Sequence, residues 1–92
     1  MLMSFELYAV EAKARGADEV VERVWAPGTV VAEHGHPFAA DALVVAGEMW
    51  LTQGGVERHL GVGDSFSLAA NEPHAERYGP QGATYWVARR KV

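Results

Sequence analysis

Apolar and polar residues alternate along this chain in short runs, each of about five to eight residues, which is strand length. Turn-forming residues separate the runs: Ala26-Pro27-Gly28, Gly35, Gly47, Gly54-Gly55, Gly61-Val62-Gly63, Asn71-Glu72-Pro73 and Gly79-Pro80-Gln81-Gly82. Val, Trp, Tyr, Phe and Thr are frequent between them, as pleated, half-buried backbone favours. The pattern predicts strands over Phe5–Val10, Val20–Trp25, Thr29–His34, Asp41–Ala46, Glu48–Gln53, Val56–Leu60, Ser65–Leu68, His74–Tyr78 and Thr84–Arg90. Short strands with turns at this spacing read as an all-β sandwich or barrel. Glu11–Gly16 is the one helix candidate, through its Ala and Lys content, and it is too short to stand alone.

Two turns carry detail. Gly54-Gly55 joins two alternating runs as a two-residue loop that accepts positive φ at both positions, the mark of a tight hairpin. A second hairpin is expected at Gly61-Val62-Gly63-Asp64, leading into Phe66 and Leu68 on one face. Neither glycine cluster has the strand–turn–helix setting of a phosphate loop. So many short strands leave a small interior, filled by inward side chains or holding one small site.

With 92 residues there is room for one domain, expected to span 1–92. The chain has no cysteine, which excludes disulfides, Cys-ligated zinc, iron–sulfur clusters and thiol nucleophiles. Eight Lys+Arg against twelve Asp+Glu give a net charge of −4 and no basic face for nucleic acid. A metal or a small ligand suits this balance better. The opening MLMSFELYAV lacks a basic segment, and Glu6 interrupts its apolar run, so no signal peptide is read there. No run approaches the roughly 18 apolar residues of a membrane span. The expectation is a cytoplasmic protein. Three tryptophans are a heavy apolar load for so small an interior. A homodimer is therefore expected, with exchange of the Phe5–Val10 strand across an edge as its best route.

The histidines are the candidate chemistry. His34 and His36 stand two apart on an extended segment, so their side chains leave one face, roughly 6–7 Å apart at the backbone. Two imidazoles at that spacing can tilt onto one ion. Asp41 follows and can add a carboxylate, and His74 can arrive from a neighbouring strand. His59 shares a face with Glu57 and reads as a solvated surface residue. If His74 faces inward, alternation carries Glu76 and Tyr78 with it. Glu76 is then a general base or an alternative ligand; if the strand twists, it instead reaches the barrel mouth beside Arg77 or Arg58. The tryptophans, Tyr85 and Phe66 read as core or dimer contact, and Phe38 as a pocket lip.

The spacing around these histidines runs Gly28, five residues, His34-Gly35-His36, four residues, Asp41, five residues, Gly47. Later come Gly63-Asp64, a strand, Ala69-Ala70-Asn71-Glu72-Pro73 and His74. This resembles the two motifs of the cupin superfamily, Gly-x5-His-x-His-x3–4-Glu-x6-Gly and Gly-x5-Pro-x-Gly-x2-His-x3-Asn, over about 28–47 and 63–78. The resemblance implies a single-domain jelly-roll barrel. It also implies one divalent transition metal (Zn, Mn, Fe or Ni) held by His34, His36, His74 and a carboxylate at Asp41. Asp41 is one methylene shorter than the usual glutamate, which leaves direct ligation, ligation through water and no ligation all open. Ala69, Asn71 and Tyr78 replace the proline, turn glycine and asparagine of the second motif. Asn71 is tolerable there because asparagine accepts the left-handed conformation. Two functions follow from the resemblance. One is a metal-dependent enzyme of dioxygenase or isomerase type on a small molecule, with Glu76 or Tyr78 moving protons. The other is a non-enzymatic module that binds or senses a small ligand.

Overall fold

The computed structural model describes residues 4–91, so the first three residues of the opening stretch and the outer ends of the 1–92 span lie outside it. Its elements are α1 (Phe5–Ala14), β1 (Glu19–Trp25), β2 (Val30–His34), β3 (Phe38–Gln53), β4 (Val56–Gly61), β5 (Ser65–Leu68) and β6 (His74–Lys91). All pairings are antiparallel. Strands β3 and β6 run beside each other for most of their length and bend together. Their bend divides the sheet into two leaves. One leaf joins β1, the second half of β6, the first half of β3 and β5. The other joins β2, the first half of β6, the second half of β3 and β4. The leaves close on each other as the expected jelly-roll barrel, with Val44, Met49, Leu51, Phe66, Tyr78 and Tyr85 among the residues between them.

Fewer and longer strands form than the turn signals predict. Gly47 does not end a strand; it is a bulge inside β3, where the register to β6 shifts between Val44 and Ala46 and again between Gly47 and Met49. Gly79–Gly82 likewise lies within β6. Each bulge changes which alternate residues face inward, because side-chain facing has period two. Ala40, Ala42 and Val44 point into the barrel before the bulge, and Met49 and Leu51 after it. Gly47 and Gly82 permit this corner. Both have positive φ, at 70° and 71°. A Cβ on Gly47 would overlap the Gly82 carbonyl oxygen and lie 2.9 Å from the Ala83 Cα, and one on Gly82 would overlap the Trp25 carbonyl oxygen.

The Gly54-Gly55 hairpin forms as expected, with φ of 60° and 78° and β3 paired to β4 from Gln53–Val56 to Glu48–Gly61. The second expected hairpin does not. After Gly61–Asp64 the chain crosses so that β5 pairs with β3 instead of β4. Bonds from the Gly63 amide to the Val44 carbonyl and from the Val44 amide to the Asp64 carbonyl hold the crossing, both at 2.9 Å. Phe66 and Leu68 share the inner face as predicted.

The N-terminal segment is a helix, not the predicted strand. Ser4 caps it, its hydroxyl accepting from the Leu7 amide at 3.1 Å, with Glu6 in the first turn and Lys13 in the last. Phe5, Tyr8 and Ala12 recur at helical spacing and pack on Trp86 and Ala88, on the outer side of the first leaf. The Tyr8 ring lies 5.5 Å from that of Trp86. The alternation of Phe5, Leu7 and Ala9 imitated a strand, and the cap at Ser4 was the contrary signal. Strand exchange through Phe5–Val10 is thereby removed as a route to a dimer, since the segment covers its own chain's sheet. Among the described residues no helix is long and apolar enough to cross a membrane.

Candidate metal centre

His34 ends β2 and His74 begins β6, and the two are directly paired across the ladder. His36 stands in the connection from β2 to β3. Two local devices fix these positions. The Asn71 amide donates to the His36 carbonyl at 2.5 Å, tying the two histidine-bearing loops together. Asn71 has φ of 61°, the left-handed conformation expected of it. Glu72 braces the same turn, one carboxylate oxygen accepting from the Ala69 amide at 2.9 Å and the other from the Gln53 amide group at 3.1 Å. These bonds, the Ala69 amide first, hold the Glu72 carboxyl below its usual range. The role of Glu72 was not read from the sequence, and its position two residues before His74 was the only signal.

His34, His36 and His74 each offer a ring nitrogen within 4.8 Å of the others. The His34 and His36 rings meet edge to face with centroids 4.8 Å apart, and the His34 and His74 rings are tilted with centroids 4.3 Å apart. His74 is fully buried and His34 partly exposed. Backbone carbonyls set the ring orientations: Ala32 lies 2.8 Å from His34 Nδ1, and Glu72 lies 3.0 Å from His74 Nδ1. A proton on each Nδ1 satisfies the carbonyl and leaves the Nε2 lone pair directed inward, the arrangement that orients histidine ligands. His36 stacks on Phe38 at 5.0 Å. Burial, then the neighbouring His34 and His74, push its pKa below the usual histidine value. It stays neutral, and able to ligate, to lower pH than a free imidazole.

Glu76 faces inward and is buried, not at the barrel mouth. One of its oxygens accepts from the Tyr78 hydroxyl and from the Tyr85 hydroxyl, the latter at 3.3 Å. The other lies 3.7 Å from both His34 Nε2 and His74 Nε2. Tyr78 is stacked on Trp25 at 5.0 Å. Burial first, then Tyr85 and Glu76, push its pKa upward, so it keeps its proton and donates to Glu76. Tyr78 thus holds the carboxylate from a position that is not among the residues lining the cavity.

Asp41 is not brought to the histidines. On β3 it alternates with Ala40 and Ala42, which face the barrel, so its side chain leaves the opposite face. There it accepts from the Ser67 hydroxyl at 2.6 Å and from the Arg90 guanidinium. The inward residue at the shorter motif spacing is Ala40, which has no ligand atom. Ser67 first and then Arg90 hold the Asp41 carboxyl below its usual range. Its stabilising effect is therefore present above the unfolded carboxylate pKa near 4 and lost as pH falls through the lower folded value. The pair is partly exposed, so Asp41→Asn is expected to cost no more than about 1 kcal/mol. The same variant is expected to leave metal affinity unchanged. Denaturant unfolding at pH 7 and 3.5, with a metal titration beside it, checks both. His59 is exposed as expected, bonded to Glu48 at 2.7 Å.

The histidines and Glu76 lie on the wall of a cavity of about 90 Å³ between the two leaves, which Trp25, Phe38 and Phe66 also line. The donor set fits a divalent transition ion: three imidazoles, two of them with their outer nitrogens bonded to backbone carbonyls, and one carboxylate oxygen beside them.

Among solved structures the chain is similar to several proteins. It aligns with an RmlC-like cupin from Shewanella frigidimarina at 25% identity and a TM-score of 0.71, over 79% of this chain and 65% of that one. It aligns with DMSP lyase DddQ from Ruegeria pomeroyi at 29% identity and a TM-score of 0.67, over 77% of this chain and 36% of that one. It also aligns with a conserved protein with a double-stranded β-helix domain from Klebsiella pneumoniae, at 28% identity and a TM-score of 0.65, over 77% and 64%. The chain thus spans less than two thirds of the length of each. No curated protein sequence matches it. The cupin domain profile matches residues 21–85, from β1 into the second half of β6. The profile match, the jelly-roll barrel and the paired histidine loops together place this chain in the cupin family.

Proposed function

We propose that this chain is a metal-dependent cupin enzyme acting on a small molecule, with one divalent ion held by His34, His36 and His74. Glu76 supplies the carboxylate that Asp41 does not. The supporting observation is the pairing of two carbonyl-oriented imidazoles with a buried carboxylate oxygen at equal distance from both, on the wall of a small cavity. The similarity to a DMSP lyase favours an enzyme over a storage or sensing module.

A bound ion would polarise a substrate oxygen and lower its charge cost. The chain's own residues do the rest. Tyr78 and Tyr85 fix one oxygen of Glu76 and leave the other free beside the imidazoles, either as a ligand or to take a proton from the bound molecule.

Glu76→Gln keeps the shape and the two phenol bonds but removes the charge. It is expected to weaken zinc binding roughly 10–100-fold with little change in fold. Competition with a chelator and circular dichroism measure the two effects. Unchanged affinity makes Glu76 a base and not a ligand. We also propose a cytoplasmic homodimer, now through exposed strand residues such as Val24 and Val30. Sedimentation velocity at low micromolar concentration tests it, and a lone monomer overturns it.

A further inference from the structure

The cavity that holds the histidines is also lined by positive charge. Arg23 on β1 and Arg89 on β6 both line the cavity, while among the described residues Glu76 is the only acid that does. In a chain of net charge −4, two cations turned into one small cavity are not what composition predicts. Their direction follows from the strand pattern. Val21 and Trp25 pack inward from β1, and Arg23 shares their face; Tyr85 and Val87 pack inward from β6, and Arg89 continues the same alternation.

Arg23 makes no ion pair among the described residues, and the partner of Arg89, Glu19, does not line the cavity. Arg23 lies over the Trp25 ring at 4.9 Å, and the Arg–carboxylate pairs among the described residues engage Arg77, Arg89 and Arg90, not Arg23. Arg89 lies over Phe38 at 4.8 Å and meets Glu19 through one terminal nitrogen at 2.9 Å. Its Nε is buried with no acceptor. The indole N–H of Trp25, another lining residue, is also buried, beside the Tyr85 hydroxyl without completing a hydrogen bond to it. Buried donors without acceptors are uncommon and costly. Here two of them and a second guanidinium border one space.

We propose that the cavity takes a small organic carboxylate, its anionic end held by Arg23 and Arg89 with the Trp25 N–H beside it, and its other end turned to the histidines. The planar guanidinium fork matches a carboxylate. The hydrocarbon part meets Phe38, Phe66 and Val87, which favours an organic acid over an inorganic anion. The cavity is small, about 90 Å³, which favours a ligand of a few carbons. This inference rests on the metal reading above only for the ligand's far end.

Nuclear magnetic resonance of nitrogen-15-labelled full chain, zinc-free and zinc-loaded, tests it with butyrate, the neutral isostere butyramide and inorganic phosphate. Butyrate is expected to shift the Trp25 indole N–H and Arg89 Nε–H signals and to bind at least 10-fold more tightly than the other two. Arg23→Gln, at an exposed position the fold does not depend on, is expected to lose that preference with zinc uptake unchanged. Arg89→Lys keeps the charge, removes the Nε donor and is expected to lose part of it. Equal binding of butyrate and butyramide overturns the proposal, as does tighter phosphate binding. A preference that needs zinc and survives Arg23→Gln also overturns it, since the ion would then hold the carboxylate. Absence of zinc binding with the butyrate preference intact supports the anion pocket and counts against the metal centre alone.

Discussion

Replacing His74 with alanine is expected to abolish tight metal binding, lowering affinity by more than the roughly 10–100-fold that loss of an outer partner costs. His74 is the most buried of the three imidazoles, and its ring is fixed by the Glu72 carbonyl. A solvent molecule that replaced it would have no such orientation. Because the residue is buried, the variant is also expected to lose some stability through the cavity it leaves. His34→Ala, at a partly exposed position, separates the two effects: it should lose the metal and retain the fold. His59→Ala, on the outer surface beside Glu48, should do neither. Elemental analysis after gel filtration, with thermal melts in excess chelator, distinguishes all three. Retention of one ion per chain in both His34→Ala and His74→Ala would sink the assignment. Protons compete with the metal for the imidazoles, so affinity should fall as pH drops below about 6.5; His36, its pKa lowered by burial, resists protonation to lower pH than a free imidazole.

The largest expected effect on stability is at Gly47. Gly47→Ala must hold an L-residue at φ of 70° and place its methyl against the Gly82 carbonyl and Ala83, where β3 and β6 turn the corner together. The obstruction is backbone on a paired strand, so it cannot swing aside. A cost upwards of about 3 kcal/mol is expected. In a domain of this size that lowers the melting temperature by roughly 15 °C, a large part of the usual margin. Gly54→Ala is the control. Its φ of 60° is similar, but nothing lies within 4 Å of the added carbon. Only the conformational cost remains, about 1–2 kcal/mol. Equal destabilisation of the two variants would show that backbone conformation, not the strand crossing, sets the cost at Gly47.

The bulge at Gly47 also explains which parts of the site could be read in advance. His34 and His36 are neighbours in sequence on one short extended segment, and their common direction follows from that alone. Asn71 takes its left-handed turn for a reason internal to asparagine. The Gly54-Gly55 hairpin is equally local. Asp41 is different. Whether it or Ala40 faces the barrel depends on the phase of β3, set by pairing with β5 and β6 far along the chain. A single-residue change of phase exchanges the faces. Motif spacing allowed either residue, and the sheet selected Ala40. Glu76 faced the converse choice, and its ladder partners turned it inward.

What the sequence alone determined is the all-β class, the Gly54-Gly55 hairpin, the left-handed turn at Asn71 and the direction of His34 and His36, because each follows from period-two alternation or from the φ preference of one residue. The tertiary structure alone decided that Phe5–Ala14 is a capped helix laid over Trp86 and that Gly47 and Gly79–Gly82 are bulges in long strands instead of their ends. It alone turned Glu76, Arg23 and Arg89 into one cavity. The reason is physical: local preference fixes a residue's own backbone, whereas the face its side chain takes is set by partners that only folding brings alongside.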